Sequence, residues 1–162
     1  MPPASDERFA ALYRDHAALL GRVARSFAAD HADQADLTQE MAIALWRAAP
    51  QFTGTAKLST YVYRVALNCA LNWKRSRRRY ARKLAGYEPP DESREDPRLR
   101  WLYARIQELP EVDRSLILLS LDRLHYGEIA EITGLSATNV GVRLHRIKQQ
   151  LTLQSETLKN EI

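Results

Sequence analysis

The run FTGTAKLSTYVYRVALNCALNWKRSRRRYARK, from Phe52 to Lys83, combines a helical apolar stripe, aromatic rings and a dense set of positive charges. No Asp or Glu occurs between Glu40 and Glu88. The whole chain carries 24 Lys and Arg against 20 Asp and Glu, so charge here is sorted by position rather than mixed. Sorted positive charge beside rings is the footprint of a nucleic-acid surface. With Ser59 as N-cap, Val62, Val65, Ala66, Cys69 and Trp73 recur at helical spacing and are predicted to face a core. The opposite stripe is Tyr61, Arg64, Asn68, Asn72, Arg75 and Arg79. It offers a ring to stack on bases, amides to read base edges and guanidinium groups to hold phosphates. The plainer alternative is a solvated face ending in a basic tail. Rings and amides among cations, with no acid to neutralise them, favour the nucleic-acid surface.

Outward from this stretch, 162 residues with 45% hydrophobic content can bury one ordinary core or two small ones. A formal net charge of +4 and a pI near 9.4 favour a polyanionic partner. A single cysteine, Cys69, excludes an internal disulfide, and His16, His31, His125 and His145 are too scattered for a zinc site. The N-terminus, MPPASDERFAAL, has acids where a signal peptide needs an apolar run, and no segment reaches the length of a membrane span. A cytoplasmic protein without membrane insertion is expected. There is no paired nucleophile and base, no P-loop and no metal cluster, so neither an enzyme nor a cofactor is expected.

An amphipathic helix is predicted from Asp6 to about Ala29, with Phe9, Leu12, His16, Leu19, Leu20, Val23 and Phe27 on one side. A second, from Asp33 to Ala49, places Leu37, Met41, Ala44, Leu45 and Ala48 inward. Its other side carries Gln39, Glu40, Ile43, Trp46 and Arg47. A large aromatic and an aliphatic on a nominally wet face point to a docking partner, or to Trp46 covering the edge of a small bundle. Pro50 and Gly54 break this helix. After Lys83 the sequence LAGYEPPDESREDP inverts the charge and carries Pro89, Pro90 and Pro97, which reads as a linker.

Helical periodicity resumes with Leu99, Leu102, Ile106 and Leu109, and Pro110 opens a further helix through Val112, Leu116, Leu119 and Leu121. HYGEIAEITGLSATNVGVRLHRIKQQL then reads as helix, tight turn, helix. Gly134 suits the left-handed position after a short helix, Tyr126 to Thr133. Ser136 suits the N-cap of a longer one whose Val140, Leu144, Ile147 and Leu151 face inward. The outward face contains Thr138, Asn139, Gly141, Val142, His145, Arg146 and Gln149, flanked by Arg143 and Lys148, and no acid lies between Glu131 and Glu156. The fold class expected is therefore all-α, with two small helical domains joined by an acidic linker and a helix-turn-helix in the second.

QFTGTAKLSTYVYRVALNCALN resembles the promoter-melting segment of sigma factors of the extracytoplasmic-function type, F-x-G-x-x-x-F-x-T-W-L-Y-R-I-A-x-N, at Phe52, Gly54, Thr60, Tyr63, Arg64, Ala66 and Asn68. DLTQEMAIALWRA is similar to the family's D-L-x-Q-E-x-F-x-x-L-W, whose helix docks on the β′ clamp helices of RNA polymerase. The stretch from Leu109 to Leu151 resembles the domain of the same class that binds the −35 element, matching at Tyr126, Glu128, Ile129, Ala130, Gly134, Ser136, Val140, Arg143, Leu144 and Arg146 among others. The resemblance implies a domain at 5–83 that binds core polymerase and melts the −10 element, a linker at 84–97, and a −35 domain at 98–155.

It further implies that Asp36, Leu37, Gln39, Glu40, Ile43 and Trp46 hold the polymerase, whose β′ and β subunits would be the partners alongside promoter DNA. Phe52, Lys57 and Asn68 would capture a flipped base of the −10 element, with Tyr61, Arg64, Asn72, Arg75 and Arg79 beside them. Ser136, Thr138, Asn139, Val142, Arg143, His145, Arg146 and Lys148 would read the −35 element. Gly141 stands where the family often has Lys or Arg, which removes one contact and lowers helix propensity by about 1 kcal/mol. An anti-sigma factor or other regulator would restrain such a protein. The competing reading is a helix-turn-helix regulator that needs no polymerase, with Thr152–Ile162 as its spare helix for dimerisation.

Overall fold

The computed structural model describes residues 3–81 and 95–161, with side chains from Asp6 to Ser76 and from Glu95 onward. Every regular element among the described residues is helical. In chain order they are α1 (Pro3–Phe27), α2 (His31–Ala48) continued by a 3-10 turn (Ala49–Gln51), α3 (Leu58–Ala81), α4 (Pro97–Glu108), α5 (Glu111–Leu121), α6 (Tyr126–Thr133) and α7 (Ala137–Asn160). The all-α expectation holds. The chain divides into two units between Tyr103 and Ala104.

In the first unit, α1, α2 and α3 pack pairwise. Helix α2 starts earlier than the expected Asp33 because Asp30, in extended conformation, caps it, its carboxylate accepting the Asp33 N–H at 2.8 Å. Leu20, Val23, Leu37, Met41, Leu45 and Val62 are fully buried side chains of this core. The buried face of α3 is Val62, Tyr63, Ala66, Leu67 and Ala70, whereas Val65, Cys69 and Trp73 are only half-buried. That face is turned by roughly 70° from the expected one, at about 100° per residue. The physical reason is that α3 is gripped by two helices at once. Ala66 and Ala70 let them approach closely while Tyr63 and Leu67 fill the flanks.

Arg25 of α1 pairs with Glu95 and lies over the Tyr103 ring, 4.3 Å from its centroid. Glu95, from the expected linker, and the first turns of α4 therefore belong with the first unit. The remainder of the expected linker lies largely outside the described residues.

In the second unit, α5, α6 and α7 pack on one another around Leu116, Leu118, Leu119, Ile129, Val140 and Leu144. Val112 and Leu121, expected as support, are exposed, because the continuous run Arg114–Leu119 supplies the buried part of α5, and Leu99 of α4, also expected as support, is exposed as well. Arg114 is buried and donates to the carbonyls of Gln107 and Leu109, satisfying acceptors that the end of α4 leaves open. The turn between α6 and α7 is as expected. Gly134 sits at φ 78° and its N–H donates to Ala130 O at 2.8 Å, while Ser136 Oγ accepts the Asn139 N–H at 3.1 Å.

All three tryptophans, Trp46, Trp73 and Trp101, lie in the first unit. Leu37→Ala is expected to destabilise that unit by about 2–5 kcal/mol, seen as a lower urea midpoint in tryptophan fluorescence.

Candidate nucleic-acid interface

Helix α2 presents Gln39, Glu40, Ile43 and Trp46 outward, with Ile43 at 45% and Trp46 at 52% exposure. The Trp46 indole N–H points to Asp6 Oδ1 over 3.4 Å, a long contact that leaves most of the ring uncovered. Asp36 is half-buried and accepts the Trp73 Nε1–H at 3.3 Å, so it braces α2 against α3. Leu37 corrects the sequence reading. At 0% exposure its side chain belongs to the core, and it acts on the outer face only by fixing the rotation of α2.

Two grooves flank α3. The first, about 1010 Å³, runs between Arg8, Leu12 and Asp15 of α1, Trp46 and Arg47 at the end of α2, and Phe52, Leu58 and Tyr61. Phe52 and Tyr61 form a tilted ring pair, 5.1 Å between centroids at 45°. The Tyr61 hydroxyl donates to Ala48 O at 2.8 Å, which ties the start of α3 to the end of α2. The second groove, about 600 Å³, is lined by Glu40, Ala44, Val65, Asn68, Cys69, Asn72, Trp73 and Ser76. Phe52 and Asn68 thus open on different grooves. Lys57 is exposed just before α3, and Asn68 follows about 16 Å further along the axis at roughly 1.5 Å per residue. The single pocket expected from Phe52, Lys57 and Asn68 is therefore not formed by these side chains here.

Of the remaining α3 stripe, Asn68, Asn72 and Arg75 are exposed and Arg64 is half-buried. The side chain of Arg79 lies outside the described residues. Burial, with the Glu40 carboxylate as a smaller cause, pushes the Cys69 thiol up to about 11.

On α7, Ser136, Thr138, Asn139, His145, Arg146 and Lys148 are exposed, and Val142 is 54% exposed. Arg143 departs from the simple picture of a DNA contact, since its Nη1 pairs with Asp113 Oδ1 of α5 at 3.2 Å. One arm of its fork is thereby committed to the fold. The Tyr126 ring lies against Gly141, where a Cβ would meet Tyr126 Cε2 at 3.1 Å. The sequence reading missed this packing, although a glycine inside a helix is itself a signal of close approach. It also missed Arg8 and Asp15, whose signal was their one-sided spacing with Leu12 on α1. Among the described residues, no group of three or more His, Cys, Asp or Glu is placed to hold a metal ion, and no helix is long and apolar enough to cross a membrane.

These two helical units carry the marks of a two-part nucleic-acid-binding class, and comparison with known proteins makes the class specific. The Sigma-70 region 2 family model matches residues 12–80, and the Sigma-70 region 4 model matches residues 99–151. Together the two models span most of the chain, which belongs to the sigma-70 family. It is 31% identical over 152 residues to the ECF RNA polymerase sigma factor SigE of Mycolicibacterium smegmatis, an alignment spanning 86% of this chain and 58% of that protein. The chain thus spans less than two thirds of that relative's length. Its fold is similar to CnrH, solved in complex with the cytosolic domain of CnrY, at a TM-score of 0.69 and 24% identity over 94% of this chain and 90% of that one. It is also similar to the sigma factor RpoE of Bartonella quintana, solved with the anti-sigma factor NepR, at a TM-score of 0.70 and 18% identity over 96% and 98% of the two chains.

A thiol held near 11 is about a thousandth ionised at pH 8, against roughly a quarter for an ordinary cysteine. Alkylation of Cys69 by iodoacetamide at pH 8 is expected to be about two orders of magnitude slower in the native chain than in urea. Equal rates would remove the burial of this thiol.

Proposed function

We propose that the protein is an extracytoplasmic-function sigma factor that binds core RNA polymerase and directs initiation at promoters with −10 and −35 elements. The observation that carries this reading is the order of the two family matches, region 2 then region 4, on one chain. On this reading 5–83 serves polymerase and the −10 element, 84–97 is the linker and 98–155 serves the −35 element, with Glu95 and the first turns of α4 packed on the first unit. The helix-turn-helix regulator is not favoured, because it assigns no role to the region 2 match or to the exposed Trp46.

The face of α2 bearing Asp36, Gln39, Glu40, Ile43 and Trp46 docks on the β′ clamp helices. An exposed indole desolvated against a partner is the kind of group that dominates an interface. Phe52 and Tyr61 then take a base extruded from the −10 strand. Extrusion costs a few kcal/mol of stacking, which the ring pair offsets. Asn68 and Asn72, in the second groove, read neighbouring base edges, while Lys57, Arg64, Arg75 and Arg79 hold the backbone. Helix α7 places Thr138, Asn139, Val142, His145 and Arg146 in the major groove, with Ser136 fixing its first turn and Arg143 and Lys148 at phosphates. Polymerisation chemistry belongs to the partner, so the chain is not an enzyme, needs no cofactor and works in the cytoplasm. Two chains of like fold were solved with a partner bound, CnrH with the cytosolic domain of CnrY and RpoE with the anti-sigma factor NepR, which supports restraint of this chain by an anti-sigma factor.

The test is transcription in vitro with purified core polymerase on a promoter library. Sequence-specific initiation that depends on the chain is expected, and none would reject the proposal. Trp46→Ala is expected to weaken assembly with core polymerase by about 2 kcal/mol, close to thirtyfold, measured by fluorescence-independent competition. Asn68→Ala is expected to slow open-complex formation about tenfold, read by permanganate footprinting, with polymerase affinity unchanged. Equal loss of both would withdraw the role given to Asn68.

A further inference from the structure

We propose that α7 reads its −35 element partly through an apolar notch, in which Tyr126 seated on Gly141 and the neighbouring Val142 receive the C5-methyl group of a thymine. The inference rests on the sigma-factor reading and adds to it the base chemistry that this chain's recognition helix selects.

The argument begins with Gly141. A side chain at this position would project where the Tyr126 ring lies, since a Cβ would stand 3.1 Å from Cε2 and 3.3 Å from Cδ2. Glycine lets the ring settle flush against the α7 backbone, whereas a Cβ there would make the ring give by a few tenths of an ångström. The ring is not thereby hidden, because Tyr126 remains 47% exposed, and Val142, next in the chain to Gly141, is 54% exposed. The Tyr126 ring, from α6, and the Val142 side chain are thus both open near the start of α7, where the other exposed side chains from Thr138 to Lys148 are polar or cationic.

Spacing places them at the centre of the reading face. Thr138, Gly141, Val142 and His145 fall at i, i+3, i+4 and i+7, one side of a helix. Polar groups stand at both ends of that row, Thr138 toward the N-terminus and His145 toward the C-terminus. The ring carbons of Tyr126 and the methyls of Val142 carry no donor or acceptor, and the Tyr126 hydroxyl is the one polar side-chain group of the notch. A hydrogen-bonding base edge pressed against those carbons would lose its water without replacement. The thymine methyl is the apolar group that a major-groove edge presents, and aliphatic side chains and rings take it by contact. On a surface that meets thymine an exposed valine is complementary.

The experiment uses the full chain assembled with core polymerase, on a promoter recovered from the library above. Each thymine of the −35 element, on either strand, is replaced singly by deoxyuridine, which deletes one methyl and preserves every hydrogen bond. Holoenzyme affinity is measured by competition and initiation by abortive transcript yield. One or two positions are expected to lose roughly three- to tenfold in affinity, as fits the removal of a single buried methyl. Val142→Ala is expected to lower affinity for the thymine promoter by a similar factor and to make it indifferent to deoxyuridine at the same position. Gly141→Ala, which displaces the Tyr126 ring while favouring the helix, is expected to reduce that sensitivity also.

The inference is overturned if recovered −35 elements contain no A·T pair, or if no position responds to deoxyuridine on an active promoter. It is equally overturned if the penalty survives undiminished in both variants. Those results leave the sigma-factor reading intact. Failure of the wild-type holoenzyme to initiate anywhere would remove that reading, and this inference with it.

Discussion

Helix α3 has to bury one face against α1 and α2 together, and that requirement decides what the first unit can show to a partner. Val62, Tyr63, Ala66, Leu67 and Ala70 are consumed by the packing. Ala66 and Ala70 supply closeness rather than bulk, which lets the larger side chains at Leu37, Met41 and Leu45 fill the space between helices. The hydrogen bond from Tyr61 to Ala48 then fixes where the connecting loop ends. With the inner face settled, Asn68, Asn72 and Arg75 have only the outside left to them. Because no acid occurs from residue 41 to residue 87, the surface around them has no negative charge from its own stretch of chain.

The second unit solves a different problem, since α6 is a helix of 8 residues that cannot hold its shape unaided. Its ends are closed chemically. At the N-terminus the His125 N–H donates to Glu128 Oε2 at 2.9 Å, and at the C-terminus Gly134 takes the left-handed turn. Ile129 and Ile132 add burial against α7. The pair between Arg143 and Asp113 braces α7 on α5 from the flank, at a partly exposed site where such a pair contributes up to about 1 kcal/mol. Its value is geometric, because it sets the rotation of the helix that carries the polar row.

Local chemistry made much of this legible in the sequence. Gly134 and Ser136 announced the turn between α6 and α7, because a left-handed residue and an N-cap have few alternatives. The phase of a helix was less legible than its period. Around α3, Val65, Tyr63 and Leu67 are all apolar, so spacing alone admitted two faces, and only contact with two neighbours chose between them. Leu37 shows the same limit from the other side. Its place in a polymerase-binding motif and its place in the core are both consistent with the pattern, and burial separates them. Phe52 and Asn68 fall in two grooves because Phe52 lies before α3 against Tyr61 while Asn68 stands about two turns further along the helix, which a motif written on one line does not display. Arg25, reaching Glu95 and Tyr103, is a contact between distant parts of the sequence, and no local pattern encodes it.

The balance of exposed groups bears on why such a chain would work only in company. Trp46 and Ile43 are single large apolar groups on a polar helix, enough for a hot spot but well short of a self-sufficient apolar face. The notch on α7 is smaller still. On the proposed reading, neither unit needs to hold DNA tightly alone. Once one unit is held by the polymerase, the tether makes engagement of the second intramolecular, and avidity can exceed either affinity by about 10²–10⁴ without any new contact. Weak, separate footprints then become an advantage, because a promoter lacking either element forfeits that gain. A stronger apolar surface on either unit would bind without the other and discard the discrimination.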